Sequence, residues 1–260
     1  MKNTDFIRLV GDFRASLPED KRPSWLKVAT ITLVSKHLSE QGINLNHAKI
    51  HEVFHTLKKI PIKSSQGHTY DWEMFFSDFY NQVTIGYTDK ISTKKVKIFP
   101  NGSLQIAGCA NISDCHRFIK QLQVVMKLIF DVDIPEETFK IVMINSNFTM
   151  NREIHQMNAI RAFSSECKVD FHPDRYSAVK VKYKSTTKEI TVSIFGSGSV
   201  IISGAETMLE IFDTYSYIVN KMASTPGILL GPSEKMNDFD FFMGYKCSDI
   251  YEKIKNIDVF

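Results

Sequence analysis

One short motif in this sequence has the residue types and the spacing of a catalytic metal site. The motif is His-Glu-Val-Phe-His at residues 51–55, which places His51 and His55 four positions apart. On a helix, this spacing puts two imidazoles on one face, where they can hold Zn²⁺, and puts Glu52 beside a zinc-bound water. A zinc metallopeptidase is therefore one function that the sequence allows.

The residues around this motif complete a zinc site only in part. A third protein ligand is needed, and Glu73 or Asp78 could supply it, as in a thermolysin-like site. The longer metzincin pattern is absent, because Lys58 and Pro61 stand where it requires glycine and histidine. His47 extends the stripe of histidines and could join a structural metal site. The sequence shows no P-loop, no dinucleotide fingerprint and no GxSxG elbow, so we expect no cofactor.

A second group of residues is arranged by an internal repeat. Residues 98–108 read IFPNGSLQIAG and residues 194–204 read IFGSGSVIISG, with six identities in eleven positions at an offset of 96. The same offset relates FYNQVTIGY to RYSAVKVKY, and it relates the helical patterns that follow. Gly102 and Gly198 supply the positive φ that tight hairpin turns require. Each copy therefore predicts three strands followed by an amphipathic helix.

Each copy also opens with a strand and a helix. The strands are LKVATITLVS and FKIVMINSNF, and the helices are NHAKIHEVFHTL and IHQMNAIRAFSS, so the zinc motif lies on a repeat helix whose counterpart lacks it. The offset from Val28 to Ile141 is 113, which is 17 more than the offset of the hairpins. These additional residues predict an inserted loop at about 58–78, with a short helix at DWEMFF.

The repeated elements predict an α+β fold. Two pseudo-symmetric repeats would form one antiparallel sheet with helices on one face and a bare second face, where we expect the function to lie. The expected parts are an N-terminal extension 1–22, repeats at 23–130 and 136–223, and a C-terminal extension 224–260. The aromatic run DFDFFMGY in the last part could cover the sheet or bind a partner.

The bulk composition disfavours several classes of protein. The chain has 260 residues, a formal charge of +3 and four cysteines without a CxxC pair, and its start has no apolar signal core. We expect a reduced, intracellular protein. No uninterrupted apolar run approaches the roughly 18 residues that cross a bilayer, so we expect no membrane role.

The two signatures, IFPNGSLQIAG and IFGSGSVIISG, resemble the Ile-Phe-x-Ser-Gly-x-x-x-x-Thr-Gly signature of the TATA-binding protein (TBP) family. The resemblance covers about residues 23–223 and is closest to the TBP-like proteins of large DNA viruses. It implies a saddle whose curved, concave sheet lies in a widened DNA minor groove, with the helices on the convex face and aromatic wedges at both ends of a bent site. It also implies a general transcription initiation factor without catalytic activity, in the nucleus or in a viral replication compartment.

The resemblance assigns DNA-binding roles to particular positions. Phe99 and Phe195 match the inner wedges, and Tyr80 and Tyr176 match the outer ones, with Phe79 as the alternative to Tyr80. An aromatic ring suits this role because its flat apolar face can replace base stacking. The other DNA-binding positions that the resemblance implies are Val28, Gln105, Ala107, Ile201, Ser203, Lys97, Lys180 and Lys182.

The partners that the resemblance implies are double-stranded promoter DNA, with an A/T-rich minor groove, a B-type initiation factor and the RNA polymerase machinery. The B-type factor would dock near CKVDFHPDRY, where His172 and Asp174 replace the acidic pair of the family. A third hypothesis keeps the saddle but not DNA binding, and makes the chain a protein-binding scaffold in transcription.

Overall fold

The computed structural model describes residues 3–63, 69–75, 81–88, 93–185, 188–233, 241–242 and 245–256. None of the described helices is both long enough and apolar enough to cross a membrane. The helices are α1 Asn3–Ala15, α2 His37–Glu40, α3 His47–Leu57, α4 Ile112–Phe130, α5 Gln156–Phe163, α6 Met208–Ser224 and α7 Cys247–Ile254. The strands are β1 Lys27–Ser35, β2 Ile60–Lys63, β3 Thr69–Phe75, β4 Val83–Thr88, β5 Thr93–Ile98, β6 Leu104–Cys109, β7 Lys140–Thr149, β8 Arg152–Ile154, β9 Lys168–Asp170, β10 Ala178–Lys184, β11 Glu189–Phe195, β12 Ser199–Ala205, β13 Leu229–Pro232, β14 Phe241–Phe242 and β15 Tyr245–Lys246.

The chain divides into two compact units. The first unit comprises residues 30–143, and the second comprises residues 1–29 together with 144–260. In the first unit the strands lie in the order β2-β3-β4-β5-β6-β1, and in the second in the order β9-β10-β11-β12-β7. The run β4-β5-β6-β1 thus has the same topology as β10-β11-β12-β7, and the long helices α4 and α6 follow the equivalent strands β6 and β12. The predicted α+β class, with antiparallel strands and helices in two repeats, is confirmed.

Strand pairing reproduces the two sequence offsets. Val34 of β1 pairs with Gln105 of β6, and Asn147 of β7 pairs with Ile201 of β12. The two residues on the hairpins are 96 positions apart, and the two on the opening strands are 113 positions apart. The opening strands therefore have the same register against their hairpins in both repeats.

The two predicted hairpin glycines both adopt the left-handed backbone conformation. The φ angle is +85° at Gly102 and +91° at Gly198. At Gly198 a Cβ atom would lie 2.2 Å from the carbonyl oxygen of Arg152, so both the conformation and the neighbouring backbone require glycine.

The predicted short helix at DWEMFF is wrong. Residues 71–75 of this stretch belong to β3, which pairs with β2 on one side and with β4 on the other. The buried indole of Trp72 stacks on the ring of Phe118 in α4, with centroids 5.4 Å apart. Alternate residues of a strand face opposite sides of the sheet, so an extended backbone lets Trp72 reach α4 while its neighbours point away from the helix. The described part of the expected loop at 58–78 is thus largely the two strands of a hairpin.

The long helices bury one face of each sheet. In the first unit, Phe118 of α4 also packs against Tyr87 of β4, with ring centroids 5.4 Å apart. In the second unit, the buried ring of Tyr215 in α6 makes an edge contact with Phe148 of β7 at 4.8 Å. Burial raises the pKa of the Tyr215 phenol well above its usual range. The apolar cores therefore lie between the sheets and these helices.

The two terminal extensions pack on the helix side of the second unit. Phe13 of α1 makes edge contacts with Phe212 and Tyr215 of α6. The hydroxyl group of Tyr251 in α7 donates to Asp12 Oδ1 at 2.8 Å, which joins α7 to α1. Most of DFDFFMGY lies outside the described residues, whereas the helix that follows it is part of this packing.

A buried lysine forms part of the first unit's core. Lys94 of β5 is fully buried, and its Nζ lies 3.3 Å from Oδ1 of Asp114, near the start of α4. Arg117 contacts the same oxygen, and the backbone N–H of Ala110 donates to the other carboxylate oxygen. The carboxylate of Asp114 is therefore the counter-charge for a lysine that water does not reach.

We expect Asp114→Ala to lower the free energy of unfolding by about 3–5 kcal/mol, because the charge of Lys94 would stay buried without its counter-ion. Urea-induced unfolding of the full chain measures this change. Asp131→Ala is the matched control, because this carboxylate is exposed and pairs with Lys127, so the urea midpoint should barely change. Equal effects of the two substitutions would contradict a structural role for the buried pair.

Candidate nucleic-acid interface

The predicted DNA-binding residues on paired strands lie on the sheet faces that the long helices leave uncovered. In β10, Val179 and Val181 are fully buried, whereas the intervening Lys180 and Lys182 point to the other side of the sheet. The same alternation holds in the neighbouring strands. We call this surface the open face, and its residues in the second unit include Asn145, Asn147, Lys180, Lys182, Thr191, Ser193, Ile201 and Ser203. In the first unit they include Thr32, Val34, Thr84, Gly86, Lys95, Lys97, Gln105 and Ala107.

Cross-strand pairing arranges the open face of the second unit in rows. One row runs across four strands as Lys180, Ser193, Ile201 and Asn147, and the next runs as Lys182, Thr191 and Ser203. Hydroxyl, amide and ammonium groups therefore lie side by side, with a single aliphatic side chain among them. Such a surface offers hydrogen-bond donors and positive charge together.

The open face of the first unit has the same rows with different chemistry. They run as Thr84, Lys97, Gln105 and Val34, and as Gly86, Lys95, Ala107 and Thr32. Lys95 and Lys97 therefore lie on β5 in this unit, whereas Lys180 and Lys182 lie on β10 in the second unit. The two repeats present positive charge at non-equivalent places on equivalent backbones.

The predicted wedge pair of the second unit is assembled. The rings of Tyr176 and Phe195 make an edge contact, with centroids 5.6 Å apart and an interplanar angle of 69°. Tyr176 is 38% exposed, and Phe195 is half-buried. The Nζ atom of Lys180 lies 4.8 Å from the centroid of the Tyr176 ring. A cation and two aromatic rings thus form one cluster at the end of the open face.

The wedge pair of the first unit is described only in part. Phe99 follows β5 and is half-buried; its N–H donates to the carbonyl group of Ser103, and its own carbonyl accepts from Gly102. Tyr80 and its alternative Phe79 lie outside the described residues. Val28, another predicted contact, is half-buried near the start of β1.

Phe75 is an aromatic residue of the open face that the sequence analysis did not assign. Its ring lies over Gly86, where a Cβ atom would be only 1.7 Å from the ring. The Nζ atom of Lys95 lies 5.0 Å from the ring centroid. The assignment was missed because DWEMFF was predicted to be helical, which hides the alternation that separates Phe75 from the buried Trp72.

Asn145 and Asn147 of β7 were also missed. Asn147 is half-buried, and its Oδ1 atom is shielded from solvent without a hydrogen-bond partner among the described residues. The equivalent residue of the first unit is Val34. The offset of 113 was the signal that could have found both asparagines, because it aligns β7 with β1 residue by residue.

Two electrostatic contacts modify the predicted sites. Lys182 Nζ lies 3.2 Å from Glu189 Oε1, so part of its positive charge is neutralised.

The two predicted partner-binding residues, His172 and Asp174, are exposed in the connection between β9 and β10. His172 Nε2 lies 3.0 Å from Asp170 Oδ1. Both residues of this connection are accessible to another protein.

The described residues do not assemble the zinc site that the sequence allowed. His51, Glu52 and His55 are exposed on α3, and Glu73 projects from the face of β3 opposite to Trp72. Within the described ranges, no three His, Cys, Asp or Glu side chains are grouped closely enough to hold a metal ion. Partial burial and the nearby His51 lower the pKa of His47.

We expect Asn147→Val, which installs the residue found at the equivalent Val34, to leave the free energy of unfolding unchanged or to raise it by up to about 1 kcal/mol. The substitution removes a shielded amide oxygen that lacks a partner, and such an atom costs free energy on folding. Thermal and urea unfolding measure the change. A loss of more than about 1 kcal/mol would show that Asn147 has a structural role.

Comparisons with known proteins found similarity to TBP-like proteins. Residues 138–225 match the family model described as "Transcription factor TFIID (or TATA-binding protein, TBP)". A TATA-box-binding protein-like chain of Acanthamoeba polyphaga mimivirus is 27% identical over 174 residues, which are 54% of this chain and 47% of the viral one. The match therefore spans about half the length of that relative.

A solved structure shows the same fold. The TBP of Methanococcus jannaschii superposes with a TM-score of 0.52 at 15% sequence identity, over 77% of this chain and 98% of the archaeal one. The family model, the viral relative and the archaeal structure together confirm the resemblance: the chain has the fold of TBP and is similar to TBP-like proteins, including one that a large DNA virus encodes.

Proposed function

We propose that this chain is a transcription initiation factor that binds promoter DNA through the minor groove and bends it. The observation that supports this most directly is the cluster of Tyr176, Phe195 and Lys180 at the end of the open face. TBP-like proteins are transcription factors and not enzymes, and the described residues offer no assembled catalytic site. We accordingly propose a nuclear location or a viral replication compartment.

The aromatic cluster has the geometry that a wedge needs. One ring is partly exposed and the other braces it edge-on, so inserting Tyr176 between two bases would require little rearrangement of the protein. Unstacking a base step costs about a few kcal/mol, and a ring face that replaces the lost stacking offsets part of this cost. The phenol group of Tyr176 would point toward water or a phosphate.

The open face also matches the chemistry of a minor groove. Adenine N3 and thymine O2 are acceptors, and the exposed amino group of guanine distinguishes G·C pairs. Donors from Ser203, Asn147 and Gln105 can bond to these acceptors, which favours A/T-rich sites. Lysines of the open face, among them Lys95, Lys97, Lys180 and Lys182, can contact phosphates.

Replacing both inner wedges, in Phe99→Ala with Phe195→Ala, should weaken binding to bent DNA by at least about 30-fold, because stacking contributes about 1–3 kcal/mol per ring. The bend angle, followed by energy transfer between dyes at the DNA ends, should decrease as well. Tyr245→Ala is the control, because this exposed tyrosine lies in the C-terminal extension. Unchanged bending in the double variant would refute the wedge assignment.

The lysines of the open face lead to a separate, quantitative prediction about the salt dependence of DNA binding. Each phosphate contact contributes about 0.9 to the slope of log K against log salt. Lys180→Gln should therefore reduce this slope by about 1, and Lys182→Gln by less, because Lys182 already pairs with Glu189. Fluorescence anisotropy with labelled duplexes at several salt concentrations measures the slopes. A protein-binding scaffold, our second candidate function, would show no salt-dependent binding to DNA.

Partner recruitment forms the second part of the proposal. The exposed connection that carries His172 and Asp174 is the expected contact for a B-type initiation factor, and through it for the RNA polymerase machinery. Compared with an acidic pair, a histidine and an aspartate carry less negative charge. We therefore propose a partner whose matching surface is less basic than one that binds two carboxylates.

A further inference from the structure

Phe75 and Lys95 form an aromatic–cation pair on the open face of the first unit, at positions that are not those of the wedges. Phe75 of β3 pairs with Thr84 of β4, so it extends by one strand the row that runs through Lys97 to Val34. β3 is itself held between β2 and β4. The backbone of Phe75 is therefore fixed at the outer end of a row of predicted DNA contacts.

The ring of Phe75 is seated on the backbone of the neighbouring strand. A Cβ atom on Gly86 would be 1.7 Å from the ring, so glycine provides the room that the ring occupies. Lys95 is the cross-strand partner of Gly86, and its Nζ atom lies 5.0 Å from the ring centroid. Phe75 is half-buried and Lys95 is exposed. The uncovered part of the ring and the ammonium group are therefore presented to solvent side by side.

The equivalent place in the second unit has a different chemistry. Lys180 lies 96 positions after Thr84, and it pairs with Asp170 where Thr84 pairs with Phe75. Asp170 is exposed, and its Oδ1 atom lies 3.0 Å from Nε2 of His172. The second unit thus has a carboxylate where the first unit has an aromatic ring. A carboxylate repels phosphate groups, whereas the ring with its neighbouring lysine does not.

We propose that Phe75 and Lys95 bind one nucleotide of the DNA backbone. The ammonium group binds a phosphate, and the ring packs on the apolar face of the adjoining deoxyribose. A nucleotide joins an anion to an apolar sugar through covalent bonds, and the two side chains present the matching groups next to each other. This contact adds to the minor-groove binding proposed above and rests on it.

The seated ring gives Phe75 a role that differs from that of a wedge. To insert between two bases, the ring would have to leave the space above Gly86. Glu73 limits the direction from which the DNA backbone approaches, because it pairs with Gly86 and lies at the outer end of the row that contains Lys95. Its carboxylate repels phosphates, so the bound strand passes Lys95 on the side of Phe75.

Two substitutions of Phe75 test the contact. Phe75→Ala removes the ring, and Phe75→Asp installs the residue of the equivalent position, Asp170. Fluorescence anisotropy with a labelled duplex that has a central A/T-rich run should show binding about 5- to 10-fold weaker for Phe75→Ala and weaker still for Phe75→Asp. Leu128→Ala is the matched control, because this side chain is 58% exposed but lies on α4, and it should leave DNA binding unchanged.

Lys95→Gln keeps the test independent of folding, because Lys95 is exposed. The probes are duplexes in which one phosphate at a time is replaced by a neutral methylphosphonate. At one position the replacement should weaken binding of the unaltered chain and have no further effect on Lys95→Gln. The salt slope of this variant should fall by about 1. Lys120→Gln, at an exposed lysine of α4, should behave as the unaltered chain does.

The bend angle separates this contact from the wedges. Phe75→Ala should leave the bend of the bound DNA unchanged, because its ring does not enter the base stack. Equal DNA binding by Phe75→Ala and the unaltered chain, a methylphosphonate profile that Lys95→Gln does not alter, or a loss of bending as large as that of the Phe99 and Phe195 double variant would each overturn the contact alone. Failure of the unaltered chain to bind the duplex would overturn the proposed function as well.

Discussion

Side-chain alternation along the paired strands is the constraint on which the rest of the structure depends. Each long helix buries one face of its sheet, so every second residue of a strand must be apolar, and its neighbours must lie on the open face. A shift of β10 by one residue would bury Lys180 and Lys182 on the helix side of the sheet and expose Val179 and Val181. The apolar core therefore holds the lysines, amides and hydroxyl groups of the open face in fixed rows, and the aromatic cluster lies at the end of those rows.

The duplicated backbone carries surfaces that have diverged. Lysines occupy β5 in one unit and β10 in the other, and Val34 is replaced by Asn147 at the equivalent place. On the helix side, α4 exposes Val124 and Leu128, whereas α6 exposes Asn220 and Ser224 at the equivalent places. Because the core depends on only one residue in two along each strand, the others can change with little effect on folding. The repeats thus keep one architecture while their binding surfaces differ.

Two buried polar groups of this chain differ in whether they have a partner, and this difference indicates whether each serves stability or binding. Lys94 is buried with the carboxylate of Asp114 as its counter-charge, and this arrangement supports the first unit's core. Asn147 has a shielded oxygen without a partner among the described residues, which costs folding free energy. Residues that are unfavourable for folding are often retained for what they bind. The contrast supports a binding role for the asparagine and a structural one for the lysine.

The sequence by itself determined the repeat, the hairpins with Gly102 and Gly198, the long helices and the side of the sheet on which Lys180 and Lys182 lie. These features follow from local periodicity and from one fixed offset, so no distant contact is needed to predict them. Only the tertiary structure decided that residues 71–75 form a strand, because Trp72 packs on Phe118, which lies in another element. It also placed Phe75 and Asn147 on the open face and α1 on α6. Such placements depend on which surfaces meet, and the energy of that contact outweighs the local preference of the chain.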